Sequence, residues 1–152
     1  MTQFVDADHA GNMMNLPSYT EITIYLCRAP IIWYSKKQNT FESRTVRSKI
    51  VTIRTGMELT KGINYKLSIM GFLIDGPTLV FCDNNLVVTR MSVPTFTLEK
   101  NNLSICYHAV IESVAAGIHR IVHISGEFNP ADLITKLLTA AVKWPHIGRI
   151  FY

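Results

Sequence analysis

The amino-acid sequence predicts an α/β domain, a five-stranded mixed sheet flanked by helices, with three strands antiparallel and two parallel. Three observations point there. The first third of the chain carries three strand-like runs, residues 3–8, 19–27 and 31–35, joined by connections too short for a helical crossover. An amphipathic stripe follows, Val46, Ile50, Ile53 and Met57, at spacings of four, three and four, which is the helical period. Beyond it, short apolar runs at 78–82 and 118–124 alternate with helical segments, the order that builds parallel strands with crossovers.

Each element has a local reason. The run Phe4-Val5-Asp6-Ala7-Asp8 ends among small and turn-forming residues, and the stretch up to Ser18, with its Asn and Pro, reads as a loop. Arg28-Ala29-Pro30 makes the next turn, and 36–41 is polar and loop-like. Ser43 is placed to cap the first helix, inside which Gly56 weakens the helix by about 1 kcal/mol relative to Ala. Lys49 lies three after Val46 and four before Ile53, which puts a cation on the buried side of the stripe; snorkelling along the helix edge is the alternative. A second helix is expected over 61–70, broken by the Gly, Asp and Pro of 71–77. The strand 78–82 ends at Asp83-Asn84-Asn85, a helical segment follows over 86–91, and 94–102 is irregular. A helix over 103–116 stops at Gly117, and the strand 118–124 leads to a helical tail from about 129, with Asn129 as cap, Pro130 first and Asp132 in the first turn.

The 152 residues suffice for a single domain spanning 1–152, and 48% hydrophobic with 17% charged residues describes a globular chain. No apolar run approaches the roughly 20 residues that cross a bilayer, and no signal-peptide pattern opens the chain, so an intracellular, cytoplasmic or nuclear location is expected. Cys27, Cys82 and Cys106 lack metal-site spacing; Cys27 and Cys82 sit in apolar runs and are expected as buried thiols. The net charge of +4 hides an asymmetry. Residues 28–66 hold nine basic side chains against Glu42 and Glu58, a local charge of +7. Such a segment suits a polyanion, although a solvated helix face explains it equally well. Trp33 and Tyr34 lie inside it and could stack on bases, yet as strand residues one or both are expected in the core.

Asp6 and Asp8 share one face of a strand, where crowded carboxylates call for a cation or hydrogen bonds. A hard divalent metal held through oxygen is the functional reading, and an ordinary Asp-Asn-Gly turn the other. Asp83, at the carboxyl end of a strand, stands where α/β sites lie.

Five segments in order carry a resemblance: Val5-Asp6-Ala7-Asp8-His9-Ala10-Gly11, Ile32-Trp33-Tyr34-Ser35-Lys36-Lys37-Gln38, Phe81-Cys82-Asp83-Asn84, Tyr107-His108 and Ala131-Asp132-Leu133-Ile134-Thr135-Lys136. Together they resemble the ribonuclease H domain of copia-type retrotransposon polyproteins, in a partly degenerate form. The resemblance implies a three-layer ribonuclease H-like fold, ancestral fusion to a reverse transcriptase, and two-metal cleavage of the RNA strand of an RNA–DNA hybrid. It implies Asp6, Asp83 and Asp132 as catalytic acids and ligands of Mg2+ (or Mn2+), with Lys36, Lys37, Arg44 and Arg47 on the nucleic acid. The family's fourth ligand is a glutamate on the first helix, and its position falls on Lys49, or on Ser48 in a register one residue shorter.

Glu42 and Glu58 lie seven residues before and nine after Lys49, roughly 10 and 14 Å along a helix, too far to substitute. Lys49 can instead pair with Asp6 or Asp83, so weak or lost activity is expected. Asn102, near where the family has a histidine, is a second departure. Two alternatives stand beside an impaired nuclease: a catalytically inactive nucleic-acid-binding module or non-functional transposon remnant, and, ranked last, an Asp-x-Asp phosphatase, for which Asp83-Asn84 is a poor late acid pair.

Overall fold

β-Branched and aromatic runs form the strands of the computed structural model, which describes residues 1–8, 18–38, 45–92, 103–133, 144 and 147–148. The strands are β1 (Thr2–Asp8), β2 (Tyr19–Leu26), β3 (Ala29–Lys37), β4 (Thr78–Cys82) and β5 (His119–His123); the helices are α1 (Thr45–Ile69), α2 (Asn85–Ser92) and α3 (Leu103–Ala115). Short 3-10 turns, Gly126–Phe128 and Pro130–Leu133, follow β5. The sheet order is β3-β2-β1-β4-β5. β2 pairs antiparallel with β1 and β3, whereas β4 lies parallel to β1 and β5, which is the mixed sheet read from the sequence. Val5, Ile22, Ile24, Val80 and Cys82 from the sheet meet Ile50, Ile53 and Met57 of α1, Val87 of α2 and Val110 of α3 in one core.

The helix stripe is therefore correct, but the expected break before residue 61 is not, because α1 runs unbroken for 25 residues. Gly56, expected only to weaken the helix, is buried within it and faces β1. A Cβ there would stand 3.0 Å from the buried Gln3 amide, so the glycine leaves room for that side chain between β1 and α1. The helix ends at Gly71, whose φ of 84° suits a residue without a side chain, with the Phe72 amide donating to the Leu67 carbonyl at 2.8 Å.

Three further expectations change. β3 extends over Lys36 and Lys37, which were read as loop, because pairing with β2 continues to Tyr19↔Lys37. Pro30 is tolerated there since β3 is an edge strand. Cys27, expected buried, is exposed in the β2–β3 turn with φ 56°, whereas Cys82 is buried and its thiol is pushed up to about 11 by burial. Third, Pro130 opens a 3-10 turn, with the Ala131 amide donating to Asn129 Oδ1 at 3.2 Å. The loop after β1, Ser43, Glu42, Arg44, Asn102 and the tail beyond Leu133 lie outside the described residues, apart from the three isolated positions above.

His119 fastens the far end of the sheet to both long helices. Its Nε2 lies 2.8 Å from Thr60 Oγ1 and its Nδ1 2.7 Å from Ser113 Oγ. Burial, with a smaller repulsion from Lys61, pushes its pKa down from 6.5 to about 4. The unfolded chain therefore binds a proton that the fold refuses as pH falls from 6.5 towards 4, and acid destabilises. The expected loss is as much as about 3 kcal/mol. Urea unfolding at pH 7 and pH 4.5 checks it, with His119→Gln lacking this share of the loss.

Candidate functional site

The site forms where β1 and β4, neighbouring parallel strands, run out beside the first turns of α1. Asp6 is 2% exposed, two residues before the end of β1, and Asp83 is half-buried immediately after β4. Asn84, next in sequence, accepts from the Val87 amide at 3.1 Å and so caps α2, which fixes the chain just after Asp83. From α1, Lys49 sends its ammonium between the two acids. Nζ donates to Asp6 Oδ1 at 2.8 Å and to Asp83 Oδ1. At 6% exposure Lys49 is a buried cation, as its place in the stripe indicated. Burial by itself would lower its pKa, but the charges and hydrogen bonds of Asp6 and Asp83 outweigh that and hold it above the ordinary value of 10.5. The ammonium stays charged at every physiological pH.

The position of Lys49 is secured by a polar network under it. Gln38 Nε2, just past β3, donates to Thr20 Oγ1 at 3.0 Å, to the Ser48 carbonyl at 3.1 Å and to Thr52 Oγ1 at 3.2 Å. This ties the end of β3 and the start of β2 to the first turns of α1, one residue from Lys49.

A fourth acid belongs to the site and was not anticipated. Glu21 is fully buried on β2 directly opposite Asp6, and the carboxylates of Asp6, Glu21 and Asp132 each offer an oxygen within 4.8 Å of the others. Asp132 arrives through the Pro130 turn, which Asn129 stitches to β1 by donating to the Val5 carbonyl at 3.1 Å. Glu42 and Glu58 were the acids weighed for the missing helix position. Glu58 instead pairs with Arg54 at 2.9 Å on the surface. The available signal was a lone carboxylate in the otherwise apolar and β-branched run Tyr19–Leu26.

The donor set decides what the site can hold. Carboxylate oxygens are the right chemistry for Mg2+ or Mn2+, which bind at about 2.1 Å with nearly octahedral geometry. An ammonium bonded to Oδ1 of both Asp6 and Asp83 takes the space and the charge such an ion would need between them. A divalent cation between Asp6 and Asp83 does not fit this arrangement.

Of the expected nucleic-acid residues, Lys36 and Lys37 are exposed on β3, Arg47 is half-buried in the first turn of α1, and Arg44 lies outside the described residues. Trp33 is 71% exposed, whereas Tyr34 points to the other face and packs on the core.

This chain has the fold of the ribonucleases H. One solved structure, of LC11-RNase H1 in complex with an RNA/DNA hybrid, superposes with TM-score 0.63 at 15% identity, covering 84% of this chain and 87% of that one. The N-terminal RNase H domain of a Mycobacterium tuberculosis protein, solved as a maltose-binding-protein fusion, gives 0.61 at 15% identity over 95% and 96%. In sequence the chain is similar to the retrovirus-related Pol polyproteins of transposons. It is 28% identical over 136 residues to that of transposon RE1 of Arabidopsis thaliana and 26% identical to that of TNT 1-94 of Nicotiana tabacum. These matches cover 90% and 89% of the chain but only 9% and 10% of the relatives, so the chain spans about a tenth of their length. No family model matches. Among the described residues, no helix is long and apolar enough to cross a membrane.

Proposed function

We propose that this chain is a ribonuclease H-like domain of retrotransposon origin that binds RNA–DNA hybrid and whose hydrolytic metal site is closed by its own lysine. The observation that carries the reading is the Lys49 ammonium bonded to both Asp6 and Asp83. In this reading Asp6, Asp83 and Asp132 descend from ligands of Mg2+ or Mn2+, Lys49 stands where a fourth carboxylate stood, and the ancestral protein was fused to a reverse transcriptase. Bound metal would supply an activated water and a stabilised leaving oxygen. With Lys49 in place the protein binds polyanion through basic residues of this segment, Lys36, Lys37, Arg44 and Arg47, and cuts weakly or not at all. The hybrid seen with LC11-RNase H1 supports the choice of nucleic acid.

The test is incubation of the protein with end-labelled hybrid in Mg2+ or Mn2+, beside a binding titration at two salt concentrations. Hybrid should be bound and left mostly intact. Neutralising four phosphates gives a salt slope near −3.6, so affinity should fall on the order of a hundredfold between 50 and 200 mM salt. Affinity that hardly changes across that range removes the nucleic-acid role, and rapid cleavage removes the closure by Lys49.

A further inference from the structure

We propose that the apolar face at the end of α1, with the groove beside it, is a two-fold self-association surface. On it Leu73 of each chain seats in the groove of a second copy, and Lys66 meets the partner's Asp75. The inference does not rest on the nucleic-acid reading above. Within nine residues the chain exposes Tyr65, Ile69, Met70, Phe72 and Leu73, each between 62% and 82%. These side chains do not belong to a frayed end. The Gly71 amide donates to the Ser68 carbonyl at 3.0 Å and the Phe72 amide to the Leu67 carbonyl at 2.8 Å, the paired bonds of a Schellman stop. Gly71, at φ 84°, turns the chain there and fixes where Phe72 and Leu73 stand.

Shape and area both fit a second copy. The groove, about 490 Å³, lies between the first residues of β1, Leu26 with the following Cys27, and Leu67, Phe72 and Ile74, with Leu73 on its rim. A cavity of that size takes more than one apolar side chain. Knob and hole therefore stand on one face, as an isologous contact requires, because each chain gives what it receives. At roughly 200 Å² for a large apolar side chain, the five exposures leave about 700 Å² in water. That exceeds the roughly 300–600 Å² of the largest patch on a typical monomer and approaches the roughly 800 Å² that each partner buries in a stable interface.

Charge agrees with that occupant. The exposed charges around the face are Lys61 and Lys66 on α1, Asp75 beyond Leu73, and Arg28 beside Cys27. Cations alone would call for an acidic partner, but Asp75 gives the face both signs. A two-fold axis passing between Lys66 and Asp75 sets each against the opposite charge of the partner. Such pairs lie at the margin and fix register more than affinity. The groove is at the end of the sheet where β1 begins, and Thr2, which lines it, is four residues before Asp6, roughly 13 Å along the strand. Association there leaves Lys49 and the carboxylates uncovered.

The experiment is sedimentation velocity on the full chain, without nucleic acid, from about 1 to 100 μM. It should show a monomer–dimer equilibrium with a dissociation constant on the order of micromolar and no larger species. Leu73→Asp should weaken the dimer at least about thirtyfold, the loss of an interface anchor. The thermal midpoint of the dilute variant should match the parent's, because Leu73 is 82% exposed in the single chain. Lys66→Glu and Asp75→Lys should each weaken the dimer about fivefold, and the two together should restore it. N-ethylmaleimide labelling of Cys27, located by peptide mapping, should slow as the parent is concentrated and not as Leu73→Asp is. A monomer across the whole range overturns the inference, and so does undiminished dimerisation of Leu73→Asp. A lowered midpoint of that variant when dilute overturns it too, since it marks Leu73 as packing within one chain. Species that grow beyond the dimer overturn the two-fold, and a charge-reversed pair that fails to restore affinity overturns the Lys66–Asp75 register.

Discussion

Lys49→Met should lower the unfolding free energy by about 3–5 kcal/mol, the cost of removing one partner from a buried ion pair. Methionine keeps the length and the apolar stem of lysine, so packing along α1 survives and the charge alone is lost. What remains is Asp6, 2% exposed, beside Glu21, Asp83 and Asp132, with the ammonium gone from among them. For a chain of this size each kcal/mol moves the thermal midpoint by about 2–4 °C, so a drop on the order of 10 °C is expected in calorimetry. Lys36→Met, on an exposed strand position, should stay within about 0.5 kcal/mol of the parent. A loss below about 1 kcal/mol for Lys49→Met would mean that the bridge to Asp6 and Asp83 does not form in solution.

Lys49→Glu should bind divalent metal at least about tenfold more tightly than the parent and gain hybrid cleavage. The substitution removes a repelling cation and adds an oxygen donor at the same point of α1. One opposed unit charge at about 4 Å is worth roughly 4 kcal/mol at an effective dielectric near 20, and a third of that already changes occupancy about tenfold. Without metal this variant should be the less stable of the two lysine replacements, because it adds a negative charge to an acid cluster. Mg2+ or Mn2+ should therefore raise its thermal midpoint, by the linkage of binding to folding, while leaving the parent's nearly unmoved. Adding Asp6→Asn to Lys49→Glu should abolish both the metal-dependent stabilisation and the cleavage.

Much of the fold was legible because its signals are local. Period-two runs marked the strands, Gly117 with φ 69° marked the end of α3, and the stripe of α1 alone put Lys49 on the inner face. The errors arise where tertiary contact overrides local preference. Gly56 looked like a weakness in a helix, yet it is the clearance that admits Gln3, a long-range contact with no local mark. Lys36 and Lys37 are polar enough to read as loop but are held in the ladder by Thr20 and Tyr19. In the site, the order of Asp6, Asp83 and Asp132 came from resemblance to a family, and the Lys49 bridge from its place on a helix. Glu21 was not legible because the resemblance puts the fourth carboxylate on the first helix, whereas this one stands on β2. Its neighbour Asp6 is set by the register of β1 on β2, and the ten-residue connection between them does not determine register.

The most direct measurement is a calorimetric titration of Mg2+ into the parent protein and into Lys49→Glu under the same salt and pH. If Lys49 closes the site, the parent takes up Mg2+ weakly or not at all and Lys49→Glu binds at least about tenfold more tightly. Equal affinity in the two proteins would contradict the account, since a metal would then bind without regard to the charge between Asp6 and Asp83.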